Sequence, residues 1–355
     1  MARLYALVSR EPATCVTIVG MLDTETCGAP LHIGSATLDK PLGIAPMAGM
    51  TDSAFRRLVK RQGGCGLVVT EMVSSEGLIR GIDRTLEYAE YTVEERPVSI
   101  QIFGGDPDTM AEAARIVEAM GADIVDVNMG CPVPKIAKHN AGCSLMREPE
   151  HAAAVISAMT RAVKIPVTVK MRAGWNDANR NAPTVARMVE DAGASAVTVH
   201  GRTAAQSYSG QADWSLVAEV ADSLTIPVFG SGDCVTPEQI VEKLRSGVEG
   251  VLVGRGVLRN PWILAQASDM LAGRPPRVIS LQDRGRFLLE YIDLLQHERV
   301  HEAKGSHDRW VVNKIRALGG YYTKGIENGA ELRAGLNSIG SVELLRDLIH
   351  RFFML

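Results

Sequence analysis

What this chain lacks narrows its class. No apolar run approaches the roughly 18 residues that a membrane-spanning helix needs, so no membrane is expected among its partners. The six cysteines, Cys15, Cys27, Cys65, Cys131, Cys143 and Cys234, show no CxxC pair and no metal-ligand spacing. That argues against a structural metal or a disulfide framework, and for a reducing, cytoplasmic compartment. Neither sign of charge dominates: the formal net charge is −3. No global basic field therefore marks a nucleic-acid binder, and any polyanion must be met by a local patch. Up to about Ile33 there is no signal-peptide pattern, because Glu11, Asp23 and Glu25 interrupt it. The first candidate strand is followed by Pro46-Met47-Ala48-Gly49, not by the Gly-x-Gly-x-x-Gly turn an open dinucleotide-binding sheet requires.

What is present is an alternation. Apolar strand-like runs fall at 42–47, 66–72, 98–103, 123–127, 167–172, 196–200, 227–230 and 250–255. They are continuous rather than alternating, as expected of strands buried on both faces. Helical patterns separate them, several opened by capping residues such as Asp106 or Asp108 and Thr236. Eight strands alternating with helices predict a closed (β/α)8 TIM barrel of the α/β class, with an open Rossmann sheet as the alternative. Residues 1–35 show weak periodicity and read as an N-terminal extension, free to be disordered or to reflect an over-called start. The barrel is expected over 36–270. Gly273-Arg274-Pro275-Pro276 reads as a linker, and 281–355 as a small all-helical domain with helices at about 283–302, 307–323, 329–337 and 341–353.

In a barrel of this kind the carboxyl ends of the strands converge on one mouth. Those ends carry Pro46-Met47-Ala48, Glu71, Gln101, Asn128 with Cys131, Lys170 with Arg172, His200 with Arg202, Ser231-Gly232-Asp233, and Gly254-Arg255. Cys131 sits on a turn made rigid by Pro132 and Pro134. A lone cysteine on such a turn is more often structural. Buried Lys, Gln and His are costly unless paired or liganded, and so many together at one mouth point to a ligand. The glycine-rich loops after the last two strands each open a helix, the arrangement of a barrel phosphate site, with Arg255 adding charge. Lys170, His200 and Gln101 suit the edge of a flavin, where a cation favours the reduced anionic ring and an amide pairs with ring heteroatoms.

Taken together, these residues resemble the flavin-dependent tRNA-dihydrouridine synthases, and in particular the bacterial B-type subfamily. The motifs are Ala45-Pro46-Met47-Ala48-Gly49-Met50-Thr51-Asp52, Gln101-Ile102-Phe103-Gly104, Asn128-Met129-Gly130-Cys131-Pro132, Val169-Lys170-Met171-Arg172 and Val199-His200-Gly201-Arg202-Thr203. Tyr208-Ser209-Gly210-Gln211-Ala212-Asp213-Trp214 and Gly254-Arg255-Gly256 complete the set. The likeness runs from about Leu38 to the C-terminus. It implies FMN in the mouth, with Pro46, Met47 and Ala48 beneath the ring, Gln101, Lys170 and His200 in contact with it, and Ser231, Gly232, Asp233, Gly254 and Arg255 holding its phosphate. NADPH would reduce the flavin. The C5–C6 bond of a uridine in the tRNA D-loop would be reduced, with hydride delivered to C6 and Cys131 protonating C5. A thiol of ordinary pKa is a competent acid at neutral pH. Ser231 departs from the family's usual Asn-Gly-Asp at that loop.

The expected partner is tRNA, met by a monomer. Asn128 would orient the base, which must leave its stack to reach a barrel mouth. Lys135 and Lys138 would meet phosphates beside it, Arg172 and Arg202 the RNA path at the rim, and Lys314, Arg316 and Lys324 the phosphates over the helical domain. Tyr321 and Tyr322 are expected at the domain interface or stacking. By charge alone those last cations read as a solvated helix face.

Overall fold

The computed structural model describes residues 30–137, 140–298 and 306–355. Lys138 and most of the expected extension lie outside them.

The described residues begin with an antiparallel hairpin, β1 (Leu31–Ile33) and β2 (Ala36–Leu38). The strands that follow are β3 (Leu42–Ile44), β4 (Leu67–Val69), β5 (Val73–Ser74), β6 (Val98–Phe103), β7 (Ile124–Met129), β8 (Val167–Arg172), β9 (Ala196–His200), β10 (Val228–Ser231) and β11 (Gly250–Val253). Apart from the two-residue β5, which pairs only with the end of β6, they form a parallel barrel. Each strand pairs with the next in order, and β11 pairs with β3 to close the ring. The expected TIM barrel is therefore the fold. β3 stops short of its expected end because Pro46 has no N–H to give the ladder.

The helices between strands start where their sequences dictate. Asp52 caps Ser53–Gln62 by accepting from the Phe55 N–H. Asp106 caps Pro107–Ala119, with proline in its first turn. Thr236 and Gln239 form a reciprocal capping box on Pro237–Leu244. The helix Pro107–Ala119 buries a face of small apolar residues, Ala111, Ala113, Ala114 and Val117 with Met110.

The hairpin is the main element the sequence did not announce. Part of it falls inside the stretch expected to be an unstructured extension. Its Ile33 and Leu38 are buried with Leu67, Ile124, Ala196, Phe229 and Leu252, side chains at the starts of the barrel strands. It closes the amino-terminal end of the lumen and leaves the carboxyl-terminal end for chemistry.

Among the described residues four helices finish the chain: Leu281–His297, His307–Tyr322, Gly329–Ser338 and Val342–Phe353. The tail of the first expected helix, from residue 299, lies outside the described residues. These helices share a core with the barrel. Phe287 packs on Phe55 and Trp262 at ring-centroid distances of 6.2 and 5.3 Å, and Tyr291 packs on Phe55 at 5.9 Å. Such pairs add about 0.5–1.5 kcal/mol each beyond burial, so the two parts are welded rather than strung on a linker.

Candidate active site

The carboxyl ends of the strands enclose a cavity of about 430 Å³. All eleven residues expected to touch a cofactor line it, from Pro46 to Arg255, together with Asn128, Cys131 and Arg172. Tyr321 reaches it from the helical domain and Tyr208 from the loop after β9.

The Pro46-Met47-Ala48 shelf is held by its own turn. Thr51 and Met50 donate their N–H groups to the Met47 carbonyl at 3.1 and 3.0 Å, and the Thr51 hydroxyl accepts from the Met47 N–H at 3.0 Å. Glu71, at the end of β4, takes the Gly49 N–H.

Across the mouth, the cysteine loop is clamped on three sides. Asn128 Oδ1 accepts from the N–H groups of Cys131 and Gly130 at 2.9 and 3.2 Å. The Cys131 carbonyl accepts from the Cys143 N–H at 3.0 Å. Arg172 Nε donates to the Gly130 carbonyl at 2.7 Å. Burial pushes the Cys131 thiol above its ordinary value, opposed by the Val133 N–H and the Arg172 charge. The thiol is thus held in its protonated, acid form at neutral pH.

Beside it, burial and then the Arg172 charge push the Lys170 ammonium down to about 8, while Asp126 pulls it the other way. Burial first, then the cations of Lys170, Arg172, Arg202 and Arg255, hold the His200 imidazole down at about 2. His200 is therefore neutral at physiological pH and offers the mouth a hydrogen bond without charge. It lies against the Ser231-Gly232-Asp233 loop. A Cβ on Gly232 would fall 2.9 Å from His200 Cδ2 and 2.6 Å from Ala212 Cβ. With φ at 123°, only glycine serves there.

The chain has relatives among known proteins. Residues 43–348 match the family model described as dihydrouridine synthase. A probable tRNA-dihydrouridine synthase of Rickettsia bellii is 38% identical over 91% of this chain and 98% of its own. Proteins named tRNA-dihydrouridine synthase B from Xanthomonas campestris and Pseudomonas aeruginosa are each 37% identical over 91% of this chain and 96% of theirs. The chain belongs to the dihydrouridine synthase family. It is thereby an enzyme, a flavin-dependent oxidoreductase, with a family resemblance that extends to the B-type members. Among solved structures, a mutant of FabK from Thermotoga maritima is 18% identical with a TM-score of 0.39, covering 63% of this chain and 64% of that one, a likeness too distant to bear on function.

The mouth suits the flavin of a dihydrouridine synthase. A cavity of about 430 Å³ is the size of a small-cofactor pocket. It joins an apolar shelf at Ala45–Ala48 to the cations Lys170 and Arg255. Nη1 of Arg202 is buried with no hydrogen-bond partner among the described residues, a spare donor on the arginine that holds Asp233.

Several residues expected in a dihydrouridine synthase to meet cofactor or RNA have other partners. The Asp233 carboxylate accepts from Arg202 Nη2 at 2.7 and 2.8 Å and from the Ala212 N–H at 2.7 Å, so it orders the loop. Arg202 is 2% exposed, not at the rim. Arg172 is buried too, with Nη1 donating to the carbonyls of Thr203 and Ser207. Arg316 donates to the carbonyls of Leu336 and Ile339, closing the end of a neighbouring helix. Lys314 is paired with Asp52. Of the expected RNA cations, Lys135 and Lys324 stay exposed; Lys324 lies 5.5 Å from the Tyr321 ring centre. Tyr322 is buried, stacked on Phe287.

Two residues at the site were given no role from the sequence. Tyr208 is 58% exposed, with Arg255 at 4.6 Å from its ring centre, and so presents a flat face at the mouth. Asp126 sits inside β7 with both carboxylate oxygens bonded. The signal that could have found it is a carboxylate in the middle of a buried strand, which needs a partner.

Proposed function

We propose that this protein reduces the C5–C6 double bond of uridines in the tRNA D-loop to 5,6-dihydrouridine, with FMN as cofactor and NADPH as reductant. What supports this reading is one cavity lined both by a protonated thiol and by a set of groups suited to a flavin. A reduced flavin bound there supplies the hydride equivalent that C6 accepts.

The chain's own groups do the rest. Pro46, Met47 and Ala48 form the apolar floor for the ring. Lys170 puts a cation at the ring edge, and neutral His200 and Gln101 contribute hydrogen bonds without adding charge. The backbones of Ser231, Gly232, Asp233, Gly254 and Arg255 receive the phosphate, with the Arg255 side chain alongside. Asn128 orients the uracil and Cys131 Sγ gives its proton to C5. The thiolate left behind takes a proton from solvent. Arg172 beside the thiol steadies that transient negative charge. Lys135, Lys138 and Lys324 meet phosphates around the flipped nucleotide, and Tyr208 and Tyr321 offer faces on which bases stack.

Deleting the gene and mapping dihydrouridine across the tRNA pool tests the proposal. One or more D-loop positions should revert to uridine. A strain that keeps every dihydrouridine overturns it. Purified protein that reduces free uridine as fast as tRNA would instead mark a small-molecule flavin reductase.

A further inference from the structure

The three polar side chains at the centre of the barrel form a line with one direction. Asp126 on β7 accepts from Gln101 Nε2 through Oδ2 at 2.6 Å and from Thr168 Oγ1 through Oδ1 at 2.6 Å. Gln101 on β6 accepts from Asn128 Nδ2 through Oε1 at 2.7 Å. Asn128 in turn accepts, through Oδ1, the N–H groups of Cys131 and Gly130. A second polar group, the Thr70 hydroxyl, takes the Gln101 backbone N–H at 3.1 Å. Asp126, Gln101 and Asn128 are each at most 8% exposed, so their bonds to one another are made largely out of water.

A primary amide has a donor end and an acceptor end, and nothing in its shape fixes which way it lies. An ionised carboxylate removes the ambiguity, because it can only accept. With Asp126 beneath it, Gln101 must turn its NH2 inward and its carbonyl toward Asn128. That obliges Asn128 to present NH2 to Gln101 and its carbonyl to the cysteine loop. We infer that Asp126 is a positioning residue: acting through Gln101 and Asn128, it sets the orientation of both amides and so holds the Cys131 loop and the Gln101 face of the cavity in place. The device rests on the reading of Cys131 as the acid. Burial pushes the Asp126 carboxyl up, and the hydrogen bonds from Gln101 and Thr168 oppose it. Lys170, on β8, is the charged group that faces Asp126, and it too favours the ionised carboxylate.

The competing role for Asp126 is simply to neutralise Lys170, and two substitutions separate the roles. In Asp126→Asn the charge is lost, but the amide can still accept from Gln101 and donate to Thr168 Oγ1, and the N–H groups of Cys131 and Gly130, which can only donate, hold the line in its direction from the other end. In Asp126→Leu both functions are lost. Gln101→Met, which spares the carboxylate, cuts the line in the middle and serves if Asp126→Leu fails to fold.

The readout is the pH profile of iodoacetamide alkylation at Cys131 in flavin-free protein, followed on the peptide that carries it by mass spectrometry. In the parent protein, alkylation should rise only above the ordinary thiol range. A loop released from Asn128 exposes the thiol to water, so Asp126→Leu and Gln101→Met should shift the profile down by about one pH unit, roughly a tenfold faster reaction at pH 7.5. Asp126→Asn should stay within about twofold of the parent. Equal shifts in Asp126→Asn and Asp126→Leu would make Asp126 a counterion only, and no shift in Asp126→Leu or Gln101→Met would remove the relay. Failure of the functional reading has a different signature. A Cys131→Ser protein that reduces tRNA at the parental rate would dismiss the cysteine as the acid while leaving the alkylation profiles to decide the relay.

Discussion

The ε-ammonium of Lys314, in the helical domain, lies 2.8 Å from the carboxylate of Asp52, the residue that caps the first helix of the barrel. Glu71 approaches the same ammonium at 3.9 Å, and the Gly49 carbonyl accepts from it at 3.3 Å. The Tyr291 hydroxyl donates to Asp52 at 2.8 Å from the neighbouring helix. A lysine expected to reach RNA instead ties the helical domain to the turn that carries the cofactor shelf. Any motion of these helices on binding RNA is therefore felt at Met47–Gly49.

Lys314→Met should destabilise the protein by about 3 kcal/mol, since breaking a buried ion pair strands the remaining charges. The loss should depend on pH. Burial raises Glu71 above the ordinary carboxylate value and raises Glu298 to about 7, with Asp52 adding to both and Lys314 and Arg56 opposing. A carboxylate raised on folding lends stability that is complete below its unfolded pKa and is lost as pH rises through its folded one. Without Lys314 to oppose them, these groups should rise further. Urea titrations at pH 5 and pH 8 should then show the variant much closer to the parent at pH 5. An equal deficit at both pH values would mean that the cluster does not carry the tie.

The barrel was legible because its strands are continuous β-branched runs with capped helices between them. β8 and β9 fall at the bounds expected from sequence. The hairpin was not legible, since strands of three residues, Leu31–Ile33 and Ala36–Leu38, give no period to detect. The mouth residues were found because strand ends in a barrel converge whatever their spacing in the chain. Their partners were harder to see. Arg172, Arg202, Lys314 and Arg316 read as free cations in one dimension. Each is engaged by a carbonyl or carboxylate that only the closed fold brings near. Asp126 went unassigned for the complementary reason: its place in an apolar run marked the strand and hid the carboxylate.

Gly230 tests the packing behind the glycine loop. A Cβ there would lie 2.2 Å from Trp214 Cζ3, and Trp214 Nε1 donates to the Gly232 carbonyl at 3.1 Å. Gly230→Ala should displace the indole, cost about 1–3 kcal/mol as overpacking, and weaken flavin retention with a change in tryptophan fluorescence. Gly320→Ala is the control. Its Cβ meets nothing within 4 Å in the helix His307–Tyr322, so it should gain about 0.5–1 kcal/mol. Thermal melts of both variants should move in opposite directions.

Arg202→Met removes the fork that grips Asp233 and also empties the carbonyls of Ser209 and Gly210 of their donor. Asp233 keeps about a third of its side chain in water, 32%, and can rehydrate. The expected cost is therefore at the lower end for a buried pair, about 3 kcal/mol. Because the same fork orders the glycine loop, flavin should dissociate at least tenfold more readily, read by equilibrium dialysis. Parental stability would show that the loop holds itself.

In the proposed reaction Cys131 sets the pH dependence of the step on RNA. A general acid must be protonated before it gives its proton, and burial places this thiol above the ordinary value of 9.0. With the flavin reduced in advance and tRNA mixed in, the single-turnover rate should be level through neutral pH and fall only beyond the ordinary thiol range. Lys170, near 8, titrates earlier, so any decline between pH 7 and 9 belongs to the cofactor edge and should vanish in Lys170→Arg, whose charge persists. The decline above that range should vanish in Cys131→Ser, together with about 10²–10⁴-fold of the rate, the usual contribution of a positioned acid. A Cys131→Ser enzyme that kept both its speed and its alkaline limb would place the proton donor elsewhere.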